Sequence, residues 1–222
     1  MYLSRLILNP RCSQVRAELA NPYEMHRTLL SGLADQRAGA GMLHRCDIHR
    51  ATGTPVVLVQ SEAPPDWGHL AGAGRGEYLL AASDAGALGI APEPLSNPQV
   101  KPLDLAGRLA PGQSLGFRLR ANPTFRDNAT RRRLGVLGEE AQAAWLVRKG
   151  AACGFRVEQL TVVDEGFLSA RKPSGESMRF LSVLFDGRLV VIEPTLLCEA
   201  LRKGVGSAKA FGFGLLSLAP AR

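Results

Sequence analysis

Long apolar runs are missing from this sequence. No stretch of about 18 residues is apolar enough to cross a bilayer, and the opening MYLSRLILNP has neither the length nor the cleavage site of a signal peptide. The expectation is a cytoplasmic, soluble chain. Cysteine is scarce as well: Cys12, Cys46, Cys153 and Cys198 are scattered and form no C-x-x-C pair, which fits a reducing compartment and argues against structural zinc. Histidine numbers only four. The segment HRCDIHR, with His44, Cys46 and His49, is where ligand types crowd together. It has no second half elsewhere, so it reads as a solvated basic segment, and neither a metal nor a cofactor is expected. The phosphate-binding pattern G-x-x-x-x-G-K-[ST] is absent. No aromatic signature of a base-stacking sheet occurs either, which speaks against reading of single strands by stacked bases.

Positive charge is what the chain has in excess. Lys and Arg number 27 against 20 acids, giving a net charge of +7 and a pI near 9.7. That balance favours an anionic partner, nucleic acid ahead of a membrane surface. The 222 residues suffice for one large domain or two small ones.

The stretch ELANPYEMHRTLLSGL, residues 18–33, carries chemistry. Asn is a favoured N-cap, Pro is tolerated at the first helical position, and Glu three residues after the cap completes a capping box. Asn21, Pro22 and Glu24 fill those places. Met25, Leu29, Leu30 and Leu33 recur at helical spacing and leave another face for Tyr23, His26 and Arg27. A helix N-terminus attracts anions, so a titratable imidazole there has a catalytic geometry. The competing reading is a capped amphipathic helix whose histidine faces solvent.

Along the chain, YLSRLILN reads as a strand, residues 13–20 as a short helix, and PVVLVQS at 55–61 as another strand. From Ala71 to Gly112 the text is rich in Gly, Ala and Pro, as in APEPLSNPQVKPL, and reads as a long connection. The second half offers a strand in QSLGFRLRANP, a helix in GEEAQAAWLVRKGAACG and a strand in FRVEQLTVV. Two strands joined by an Asp-Gly turn in RFLSVLFDGRLVVIEP and a helix near 194–203 complete it. The order predicts an α+β fold of tandem ferredoxin-like βαββαβ domains. The first spans 1–95 and carries the catalytic helix, 96–111 is a linker, and the second spans 112–222.

The tail KGVGSAKAFGFGLLSLAP frames Lys209 with Gly204, Gly206, Gly212 and Gly214. Such a loop can wrap N–H groups and a lysine around phosphates, or it is a glycine-rich turn before a last strand.

Together, the opening strand ending LNP, the segment ANPYEMHRTLL, the strand FRLRANP and the glycine-rich tail resemble the CasE family. These are the repeat-processing endoribonucleases of the type I-E CRISPR complex Cascade. The resemblance covers both ends and the middle; residues 36 to 110 add little. It implies metal-independent cleavage of a CRISPR precursor transcript within its hairpin repeat. The ribose 2′-OH attacks the adjacent phosphate, leaving 2′,3′-cyclic phosphate and 5′-OH ends, and the protein retains the guide RNA as a Cascade subunit. His26 and Tyr23 match the family's catalytic histidine and tyrosine; Arg27 can steady the phosphate charge. Whether His26 acts as acid or base stays open.

Weaker RNA-binding candidates are Arg118 and Arg120 on one strand face, and Arg126, Arg131, Arg132 and Arg133 in TFRDNATRRRL. Arg171 and Lys172 lie in SARKPSGESMRF, which reads as a hairpin; in the family a basic hairpin here grips the RNA stem. The rival reading is a non-catalytic RNA-binding scaffold subunit of the same superfamily, which has no need of Tyr23 and His26. More distant is a basic ferredoxin-like regulator of a protein or small ligand.

Overall fold

The computed structural model describes residues 1–34, 41–71, 78–90, 96–105, 107–129 and 131–221. The chain divides into two compact units, one of residues 1–103 with 170–176, the other of 104–169 with 177–222.

In the first unit, β1 (Tyr2–Ile7) is followed by helices α1 (Ser13–Ala20) and α2 (Pro22–Leu30), strands β2 (Leu43–Ile48) and β3 (Pro55–Ser61), short helices α3 (Gly68–Ala71) and α4 (Ala82–Ala87), and β4 (Gln99–Pro102). The strands form one sheet in the order β2-β3-β1-β4 with antiparallel neighbours. Alternation along β1 and β3 sends Leu6, Val57 and Val59 to one face, where Val15, Met25, Leu29, Trp67 and Tyr78 close the core. Ile7 and Val56 point the other way and pack with Leu80, Ala85 and Ile90.

The second unit repeats the plan. β5 (Ser114–Ala121) leads through a hairpin of β6 (Thr124–Arg126) and β7 (Arg133–Gly135) into α5 (Glu139–Ala152). Then come β8 (Phe155–Arg171), β9 (Ser177–Val191), α6 (Pro194–Lys203), a 3-10 turn at Lys209–Phe211, and β10 (Leu216–Pro220). The sheet order is β10-β5-β9-β8. Both sheets place the unit's first strand in the interior beside its third and last, the ferredoxin-like order. Leu115, Phe117, Leu119 and Ala121 alternate inward on β5 against Trp145, Leu146, Leu197 and Leu201 of the two helices. The tandem ferredoxin-like α+β fold is therefore present.

Several local expectations are corrected. HRCDIHR is not a solvated segment: it holds β2, paired to β3 with His44 opposite Val59, and His44 and Arg45 are 1% and 2% exposed. Mixed polar lettering hid a strand that the sheet buries. The stretch 96–111, expected as a linker, contains β4, which pairs with β1. Of the longer expected connection, residues 72–77, 91–95 and 106 lie outside the described residues. The Asp186-Gly187 dipeptide is no hairpin turn, because β9 runs through it with Asp186 opposite Arg118 and Gly187 opposite Phe117. Glycine is required there by close approach: a Cβ on Gly187 would lie 2.0 Å from the Gln159 carbonyl oxygen of β8.

Candidate active site

Helix α2 begins with Pro22 and buries Pro22, Met25, Thr28 and Leu29. Its other face carries Tyr23 and His26, both half-buried, and the exposed Arg27. The anticipated capping box is not made. Asn21 makes no side-chain bond to the helix end. Its side-chain amide donates to the Arg171 carbonyl at 3.0 Å while its side-chain oxygen accepts from the Arg171 N–H at 3.0 Å. Glu24 does not fold back either; it accepts from Arg27 at 3.0 Å. A backbone group of a strand terminus competed for Asn21 and won, since two bonds replace the single bond of a cap.

The turn between β8 and β9 is fastened to the start of α2, which sets Arg171 and Lys172 beside the helix that bears Tyr23 and His26. Lys172 pairs with Glu176 at 2.7 Å, and that hydrogen bond and charge raise its pKa, with a smaller contribution from Tyr23. Tyr23, His26, Arg27, Arg171 and Lys172 thus all belong to one unit.

Burial pushes the His26 pKa below the usual 6.5, and its Nδ1 is buried without a hydrogen-bond partner. Its ring stacks on that of His44, with centroids 5.9 Å apart and planes inclined by 23°. His44 is pushed down to about 3, first by burial and then by the charge of His26. Sequence reasoning missed His44 as a companion of His26; the signal lay in the alternation of LHRCDI against PVVLVQS. The other members of that segment disperse, Cys46 packing against the core and His49 meeting the Thr52 hydroxyl at 2.9 Å. Among the described residues, no group of three or more His, Cys, Asp and Glu side chains is placed to hold a metal.

The remaining candidates belong to the second unit. Arg118 forms a bidentate pair with Asp186 at 2.6 and 2.8 Å, and Arg120 another with Glu165 at 2.7 and 2.7 Å. Arg120 and Ser182 help hold the Glu165 carboxyl below its ordinary range against the upward push of burial. Arg131, Arg132 and Arg133 are exposed, around the turn and start of β7; position 130 of that loop lies outside the described residues. A cleft of about 490 Å³ gathers Arg126, Arg131 and Arg133 with Lys149, Trp145 and Gly206. Lys149, on α5 one turn after Trp145 and 5.9 Å from the centre of its ring, had not been singled out from the sequence.

In the glycine-rich loop, Gly204, Gly206, Gly212 and Gly214 all have positive φ, between 74° and 90°. Gly214 is also tightly placed, because a Cβ would meet the Val205 carbonyl oxygen at 3.0 Å. The loop closes on itself through Val205 N–H to Gly214 O and on β5 through Gly214 N–H to Arg120 O. The Lys209 ammonium donates to the carbonyl of Lys203, the last residue of α6, so this lysine braces the helix end that precedes the loop.

The family described as "CRISPR associated protein" matches residues 1–220. The chain is 36% identical to the CRISPR-associated endoribonuclease Cse3 of Thermus thermophilus over 99% of its own length and 100% of the relative's. It is 36% identical to the Cascade subunit CasE of Escherichia coli over 54% of the chain and 65% of that relative. A solved structure of Thermus thermophilus Cse3 bound to an RNA representing a pre-cleavage complex superposes with a TM-score of 0.77, covering 99% of this chain and 98% of that one. With a match from end to end and the same paired ferredoxin-like units, this chain belongs to the CRISPR-associated protein family that includes Cse3 and CasE.

Proposed function

We propose that this chain is a metal-independent endoribonuclease that cuts CRISPR precursor RNA within its hairpin repeat and stays bound to the product as a Cascade subunit in the cytoplasm. The observation that carries the reading is the half-buried His26 on α2, a helix whose start is joined by Asn21 to the cationic hairpin turn. Relatives named as endoribonuclease and as Cascade subunit support the substrate and the assembly.

Chemistry follows from the parts. An imidazole with a lowered pKa is neutral near pH 7 and takes a proton. His26 removes the proton of the 2′-OH, and the 2′ oxygen attacks the adjacent phosphorus. The bond from phosphorus to the 5′ oxygen breaks, and that oxygen leaves with a proton returned by Tyr23 or water. Negative charge grows on the phosphate oxygens during attack, where Arg27, Arg171 and Lys172 and the helix start are favourable. The Arg27–Glu24 pair is exposed and weakly held, so a phosphate readily displaces the carboxylate. The substrate supplies the nucleophile, and His26 together with Tyr23 or water carries the two proton transfers.

Incubating the protein with repeat-hairpin RNA tests this. Cleavage is expected in excess EDTA, and a single 2′-deoxy nucleotide before the scissile phosphate should abolish cutting while binding persists. Loss of activity that Mg²⁺ restores, or cutting of the deoxy substrate at the same position, contradicts the mechanism.

A further inference from the structure

His44 lies against the catalytic imidazole, yet the proposed reaction gives it no proton to move. Its place is set by β2: the register opposite Val59 turns His44 to the helix-covered face of the sheet, where it is 1% exposed. Its Nδ1 has no hydrogen-bond partner there. A buried polar atom left unpaired costs about 1–3 kcal/mol, so that nitrogen is no source of stability. What the residue offers is a flat ring, inclined by 23° to the ring of His26. His26 itself is half-buried and lacks a partner at Nδ1, so no hydrogen bond at that nitrogen fixes its rotamer.

We propose that His44 is a positioning residue whose buried ring is the flat backstop that holds the His26 imidazole in one rotamer for proton transfer. The inference rests on the catalytic reading of His26. Burial keeps His44 neutral at working pH, so the backstop does not repel the proton that His26 acquires. Only a flat, uncharged group of similar size can replace it. Aliphatic side chains of comparable volume fill the space but let the imidazole turn.

His44→Phe, His44→Leu and His44→Met are compared, with two non-planar variants so that a folding failure of one leaves the comparison standing. Thermal melts and hairpin affinity establish that each is folded and binds; single-turnover cleavage at saturating enzyme reads the chemical step. We expect Leu and Met to cleave about 10- to 100-fold more slowly with affinity retained, and Phe to recover to within about threefold of the parent. The His26 ring resonances should remain a single sharp set in Phe and shift or broaden in Leu and Met. Equal cleavage by Phe and the aliphatic variants overturns the proposal. His26→Ala in the same assay separates the two levels: if it cuts like the parent, the catalytic reading itself falls. If it is inactive while Leu and Met cut like the parent, only the backstop falls.

Discussion

At the scale of single residues, the proposed role of His26 as a base makes its protonation state the first property to test. Burial disfavours the imidazolium, so the folded pKa sits below 6.5 and the neutral form dominates at pH 7. The cleavage rate of a neutral base is lost on protonation. Single-turnover rates should therefore be level at neutral pH and fall tenfold per pH unit on an acid limb whose midpoint lies below 6.5. A rate that instead rises as the pH falls through this range would mean that the protonated form is the active one. His26→Ala should lower the rate by roughly 10²- to 10⁴-fold, since that is what a positioned proton carrier supplies, and leave hairpin affinity nearly intact.

Between elements, Asn21 joins the start of α2 to the β8–β9 turn. Because its side chain does not cap the helix, its loss should weaken the link rather than unwind α2. Asn21→Ala is expected to lower stability by no more than about 1–2 kcal/mol. Cleavage should fall more than binding, and amide exchange at residues 170–176 should rise. Asn21→Ser discriminates: serine is a good cap but too short to span both groups of Arg171, so it should not restore cleavage. Full rescue by serine would show that helix capping was the role after all. The same competition between elements explains Lys209, which spends a hydrogen bond on the end of α6 while its charge still adds to the field of the loop.

For the molecule as a whole, a net charge of +7 implies salt-dependent RNA affinity, but the arginines do not count equally. Arg131 and Arg133 line an open cleft with Arg126 and Lys149, whereas Arg118 and Arg120 are tied to Asp186 and Glu165. Each lost contact with a duplex phosphate lowers the slope of log affinity against log salt by about 0.9. Replacing both Arg131 and Arg133 by Ala should therefore flatten the slope by about two units with little change in melting temperature. Arg118→Ala or Arg120→Ala should change the slope less and lower the melting temperature more, because each leaves a carboxylate without its partner. A larger loss of slope for Arg118→Ala or Arg120→Ala than for the Arg131 and Arg133 pair would place the RNA path over β5 instead.

Local order was legible in the letters wherever period and punctuation agreed: the bounds of β3, α1 and α6, the β8–β9 hairpin, and the face of α2 carrying Tyr23, His26 and Arg27. These depend on neighbours within a few residues, which the text displays. The element order also conveyed the duplicated ferredoxin-like plan, although β2 and β4 were too polar or too short to stand out before β3 and β1 paired with them. Tertiary structure alone decided what the polar side chains do. Asn21 had a local use as a cap and a distant one 150 positions away, and only the folded chain chose between them. His44 looked like part of a solvated cluster until the strand register buried it behind His26. Glu18 gave no sign that Gln14, Thr28 and Tyr78 would all donate to its buried carboxylate. Propensity and period are short-range quantities, while the partner of a hydrogen bond or a stacked ring is whatever residue the fold brings within a few ångströms, at any distance along the chain.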